Sequence, residues 1–219
     1  MELKKTGDSA SIVLIGSFNP QIFHPVWFRQ VGLLPATEAD NAEVEVVSPD
    51  VAIFRLKWLR LEVFRGRFIA HTTDASQFGP LRDLVMGTFS LLEHTPITMM
   101  GLNRGIQFDL QIEDKWHQVG HTLAPKEIWR HYLKEPGMQS LSIQAQREDD
   151  YQGAINVTVR PVMSKRYVVE VVTNNHYELD QGTLAADAVD IIESCWESAL
   201  DFALALSEGV IREALASKP

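Results

Sequence analysis

Hydrophobic and polar positions along this chain change period several times, and the changes come in the same order twice. Ser11 to Phe18 (SIVLIGSF) is apolar and β-rich, and Asn19 and Pro20 close it, which predicts a buried strand. Pro25 suits a first helical position; Val26, Phe28 and Val31 supply its apolar contacts and Gly32 its stop. Residues 35–42 (PATEADNA) read as a polar loop. Three alternating stretches follow, Glu43–Val47, Val51–Lys57 and Leu59–Phe64, each with the period of a half-exposed strand. Arg65-Gly66 makes a hairpin turn into a fourth, Arg67–Thr73. Gly79-Pro80 then opens a helix to His94, with Leu81, Leu84, Val85, Thr88, Leu91 and Leu92 on one face, and Thr95-Pro96 ends it.

The second pass begins near Met100. Gly105–Ile112 alternates, with Asn103 and Arg104 read as the turn before it, and Pro125 stands near a helix start followed by Ile128, Trp129, Tyr132 and Leu133. Leu141–Gln146, Ala154–Val159 and Tyr167–Thr173 alternate as three strands. The longest helix comes last, from about Thr183 to Leu215. Its apolar stripe is Ala188, Ile191, Ile192, Cys195, Ala199, Phe202, Leu206 and Val210, with Trp196 flanking. Its solvent stripe is Asp187, Asp190, Glu193, Glu197 and Asp201.

Each pass reads β–α–β(3–4)–α. The expected fold class is therefore α+β: a 1–10 N-terminal tail, pseudo-repeats over 11–95 and 96–219, and a largely antiparallel sheet with helices on one face. This topology resembles the duplicated saddle of TATA-binding-protein-like folds, without any sequence motif of that family. A second resemblance lies in the wording of Leu81–Asn103 (LRDLVMGTFSLLEHTPITMMGLN), Trp116–Leu133 (WHQVGHTLAPKEIWRHYL) and Gly153–Pro161 (GAINVTVRP). It is similar to an uncharacterised, sporadically distributed family of bacterial proteins, and covers most of the chain after about Phe54. That resemblance implies no activity; its patchy distribution resembles that of defence-linked genes.

Composition narrows the partners. The 219 residues are 45% hydrophobic and 22% charged, which suits a globular core. The net charge of −9 argues against a surface built throughout for polyanions. The one cysteine, Cys195, excludes an intramolecular disulfide and fits a reducing compartment. MELKKTGDSA has no apolar core of a secretory signal, no window approaches a membrane span, and the C-terminal ALASKP carries no lipidation signal, so the expected compartment is the cytoplasm.

Motifs for chemistry are sparse. His117 and His121 would share one helix face and are the weak metal candidates. Gly120 lies between them, Pro125 suggests a helix that starts later, and no HExxH glutamate follows His117. No GxSxG elbow, CxxC pair or phosphate loop occurs. The most distinctive block is FRLKWLRLEVFRGRF, Phe54–Phe68, where Arg55, Lys57, Arg60, Arg65 and Arg67 interleave with Phe54, Trp58, Phe64 and Phe68. Strand alternation predicts Arg55 and Lys57 on an exposed face, with Phe54 and Leu56 opposite. The last helix is acidic, with seven acids against two basic residues from Thr183 to Pro219. Segregated charge points to an oriented protein contact or self-assembly.

The expected function is therefore a non-catalytic protein-binding or adaptor protein without a cofactor or metal, in a bacterial defence or toxin–antitoxin-like setting. Its partner would be a protein or a second copy, with no membrane. The alternatives are a nucleic-acid-binding module using the basic block, which net charge disfavours, and a metal-assisted hydrolase using His117 and His121.

Overall fold

The computed structural model describes residues 3–217. In chain order the elements are β1 (Lys4–Gly16), α1 (Pro25–Gln30), α2 (Ala36–Asp40), β2 (Glu43–Val47), β3 (Val51–Arg55), β4 (Arg60–Phe64), β5 (Arg67–Thr72) and α3 (Phe78–Leu91). The second part adds β6 (Ile97–Asp109), α4 (Glu113–Leu123), α5 (Glu127–Arg130), β7 (Leu141–Gln146), β8 (Gly153–Pro161), β9 (Val168–Glu178) and α6 (Ala185–Ala216). The nine strands form one sheet in the order β2-β3-β4-β5-β1-β6-β9-β8-β7, every neighbouring pair antiparallel. The chain is thus an α+β protein. None of its described helices is long and apolar enough to cross a membrane.

Alternation decides which sheet face is covered. Ala10, Ile12 and Leu14 of β1 are buried under the helices, while Ser9, Ser11 and Val13 point to the other face and stay partly exposed. Val169, Val171, Thr173, Asn175 and Tyr177 of β9 repeat the pattern. The helix α6 packs on β6 and β9, and α3 and α4 pack on α6. Trp196, on the buried side of α6, is 0% exposed, and Cys195 beside it is partly buried. Among the described residues no helix packs on the opposite face of the sheet.

Several boundaries differ from the sequence reading, each for a local reason. Lys4 to Ala10, expected as tail, is strand. Asp8 takes both Nε and Nη2 of Arg104 in a bidentate pair at 2.9 and 2.7 Å, and Arg104 Nη1 donates to the Leu200 carbonyl at 2.9 Å. Arg104 therefore lies within β6 and ties β1 to α6; it does not shape a turn. Met1 and Glu2 of that expected tail lie outside the described residues, as do Lys218 and Pro219. Residues 36–40 form the short helix α2 in place of a loop, because Ala39 packs into the core. A helix precedes Pro125, since α4 spans Glu113–Leu123 and tolerates Gly120 in its interior. Phe202, expected on the apolar stripe, is 42% exposed. Past Ala199 the buried positions of α6 are Leu200, Ala203, Ser207, Ile211 and Ala214, a stripe rotated by about one residue from the expected one.

Candidate functional site

The uncovered sheet face is organised around one polar row. Cα partners run Glu43, Arg55, Arg60, His71, Ser11, Asn103, Asn174, Asn156 and Gln144, one residue from each of the nine strands. In its second half the side chains bond to one another. Gln144 Nε2 donates to Asn156 Oδ1 at 3.0 Å, and Asn156 Nδ2 to Asn174 Oδ1 at 3.2 Å. Asn174 Nδ2 donates to Asn103 Oδ1, and Asn103 Nδ2 to Ser11 Oγ at 3.1 Å. Each amide thus donates to the neighbour nearer the sheet centre, and the ladder begins at Gln144 on the edge strand.

The first half of the row holds the basic block, and acids meet it there. Glu45 accepts from Arg55 Nε and Arg60 Nη1, each at 2.7 Å, and Glu62 from Arg60 Nε at 2.5 Å. Arg65 pairs with Asp50 at 2.6 Å. The hydrogen bond from Arg60 holds the Glu45 carboxyl below its ordinary range, and the bonds to Glu45 and Glu62 raise Arg60. Arg67 lies over the Phe64 ring, 5.2 Å from its centroid. Arg55 and Lys57 are both exposed as expected, but they do not share a strand face: β3 ends at Arg55, and Lys57 stands in the turn that follows. Phe54 is buried as expected, whereas Leu56 is only half-buried.

The five acids expected on the solvent stripe of α6 are all exposed, but two have local work. Asp187 accepts the Leu184 backbone N–H at 3.0 Å as a helix cap, and Glu197 pairs with Arg82 of α3 at 3.0 Å.

His117 and His121 do share one face of α4, their rings stacked with centroids 5.9 Å apart. Glu113 lies 3.5 Å from His117. Among the described residues no group of three or more His, Cys, Asp or Glu side chains is placed to hold a metal ion. The two histidines instead line a cavity of about 710 Å³ between α4, α5 and the segment leading to β7. Trp116, Leu133, Met138, Pro161 and Val169 supply apolar wall, and Lys126, Arg130 and Lys134 supply cations. Lys126 is 4% exposed, and its Nζ caps the end of α4 by donating to the carbonyls of Gly120, at 2.7 Å, and Ala124. Burial, then the neighbouring Lys126, His117 and Arg130, depress the protonation of His121; burial depresses that of Lys126.

The two ends of the sheet are guarded differently. The edge strand β2 carries Glu43 and Glu45, and its register slips between Val44 and Val46. The edge strand β7 (LSIQAQ) carries no charge, proline or register slip; five of its six residues are exposed, with Ile143 at 56%. The preceding segment also exposes Ile128, Trp129, Tyr132 and Leu133.

The sequence reading did not find the amide row, the cavity cations or the bare edge. A signal existed for two of these: uncharged LSIQAQ, and Asn or Gln recurring at outward positions of the alternating runs. No protein-family model matches the chain, and no curated protein matches it either.

Proposed function

We propose that this chain is a non-catalytic protein-binding module whose partner adds a strand to the sheet at β7. The carrying observation is the bare edge itself. Proteins blunt exposed sheet edges with charges, prolines or bulges, because unpaired backbone donors and acceptors recruit other chains. The β2 edge has two of these devices and β7 has none. Strand addition would satisfy the free backbone groups of β7 and cover Ile143. A partner amide or hydroxyl opposite Gln144 would extend the ladder by one rung. The simplest supplier of such a strand is a second copy, because antiparallel β7 strands pair about a twofold axis. The ion pairs of Arg55, Arg60 and Arg65 leave the nucleic-acid alternative with Lys57 and Arg67, a weak charge on a chain of net −9.

Sedimentation equilibrium tests this reading. The wild-type chain should dimerise, Ile143→Lys should be monomeric, and Val44→Lys on the other edge should dimerise like wild type. A wild-type chain that stays monomeric at the highest concentration reached, or an Ile143→Lys chain that dimerises as well as wild type, overturns pairing through β7.

We also infer that the two halves are copies of one β–α–β(3–4)–α unit about a pseudo-twofold axis between β1 and β6. Element order supports it. Each half opens on a central strand, its last strand, β5 or β9, returns to pair with that strand, and it closes on a helix over the same face. Superposing β1, β5, β4 and β3 on β6, β9, β8 and β7 tests the duplication, and strands that overlay in a different order would reject it.

A further inference from the structure

The cavity under α4 goes beyond the strand-pairing reading and does not depend on it. We propose that it binds a small organic anion with an apolar body. Arg130, Lys134 and the histidine pair would face the carboxylate or phosphate head, and Trp116, Met138 and Val169 the body. Three observations carry this.

The first is charge. Lys126, Arg130 and Lys134 line the cavity with the two histidines against one lining acid, Glu135; Glu113 and Glu127 stand nearby on α4 and α5. Among the described residues neither Arg130 nor Lys134 lies within ion-pair distance of a carboxylate. Lys126 is held in place by two backbone carbonyls, so its charge is fixed beside the cavity. Burial is the main cause that lowers the protonation of His121, and the charges of Lys126, His117 and Arg130 add to it in the same direction.

The second is Gly120. It lies inside α4, where glycine is costly relative to alanine. Its φ is not positive, and a Cβ built there meets nothing within 4 Å. Neither the backbone nor packing calls for glycine, but the cavity does: Gly120 is part of its wall, one turn from His117 and adjacent to His121. A side chain there would project into the space.

The third is size. About 710 Å³ lies within the roughly 300–1,000 Å³ range of small-molecule sites, and the wall mixes a largely apolar surface with a few convergent polar groups.

Calorimetry and amide NMR on the full chain test the proposal with decanoate, octyl phosphate and 1-naphthyl phosphate, against neutral decanol and inorganic phosphate. At least one of the three organic anions should bind saturably, at least tenfold tighter than decanol or inorganic phosphate, and shift the amides of Trp116, Gly120 and Gly137. Arg130→Gln with Lys134→Gln should weaken that binding at least tenfold; both positions are exposed, so the variant should fold. Gly120→Leu should abolish it without lowering the melting temperature. No saturable binding by any of the three anions overturns the proposal. So does equal binding of decanol, or an affinity unchanged in Gly120→Leu.

Discussion

Toward the β2 end of the sheet, phenylalanines interlock. Phe68 meets Phe89 edge to face at 4.9 Å, Phe23 meets Phe68 at 5.6 Å, and Phe28 meets Phe54 at 5.6 Å, all five rings at most 1% exposed. Toward the β7 end the core is smaller and mostly aliphatic, with Phe108 its one fully buried ring. There Trp116 only half-packs, and Ile128, Trp129, Tyr132 and Ile143 stay in solvent. The difference is one of allocation. The first half spends its aromatics on the core and closes its edge with glutamates. The second buries Phe108, Tyr177 and Trp196 but leaves Trp129 and Tyr132 outside, an edge unguarded and a cavity open. Buried area is what stabilises, so the first half should carry more of the stability and the second more of the recognition.

The largest expected effect tests the closed half. Phe68→Ala should cost about 3–5 kcal/mol, because it removes a fully buried ring with three aromatic neighbours. Phe202→Ala, on the half-exposed side of α6, should cost about 1 kcal/mol or less. Urea unfolding of both variants measures the gap. Equal costs would mean that Phe202 is covered in solution by something, and a second chain is the first suspect.

The same contrast separates what the sequence made legible from what it did not. Strand blocks, the hairpin at Arg65-Gly66 and the long last helix follow from alternation and helical period, because local burial enforces both. What failed depends on contacts distant in sequence. Asp8 binds Arg104, 96 residues away, and so draws the chain start into the sheet. The basic block was legible as a cluster of cations, but Glu45 and Asp50, which neutralise it, lie on and beside a different strand. Strand alternation fixes which face a residue takes, not which residues lie across from it. The row from Glu43 to Gln144 therefore appeared only with the register.

Two helical glycines sharpen the comparison at a smaller scale. A Cβ on Gly87 of α3 would come within 2.5 Å of the Leu33 Cδ2 methyl, so a larger residue there makes the Leu33 side chain shift. Gly120 of α4 has no such neighbour. Gly120→Ala should therefore stabilise the protein by about 1 kcal/mol through helix propensity and the less flexible unfolded chain. Gly87→Ala should gain less or lose, because Leu33 must move. Thermal unfolding of the pair reads the difference. A destabilised Gly120→Ala would mean that the cavity wall is packed more tightly than its geometry indicates.

The smallest effect compares two histidines, one in each half. Burial is the main cause that lowers the protonation of both His71 and His121. A base whose folded pKa is lowered holds fewer protons in the native state than in the unfolded chain. Its contribution to stability is thus whole above the ordinary histidine value of about 6.5 and is lost as pH falls from there through the lowered folded value. His71→Gln should flatten that acid-side decline. The two sites part company in salt. Around His71 the charges of Glu62 and Arg60 oppose each other, whereas around His121 Lys126, His117 and Arg130 together outweigh Glu127. Added salt screens charge but not burial. In a proton NMR titration His121 should therefore move up toward its ordinary value as salt rises, while His71 stays nearly fixed. An organic anion seated in the cavity should move His121 further in the same direction, since it supplies the negative charge that the lining lacks. If both histidines respond alike to salt, the cavity is not a site of net positive potential, and the open half differs from the closed one in shape alone.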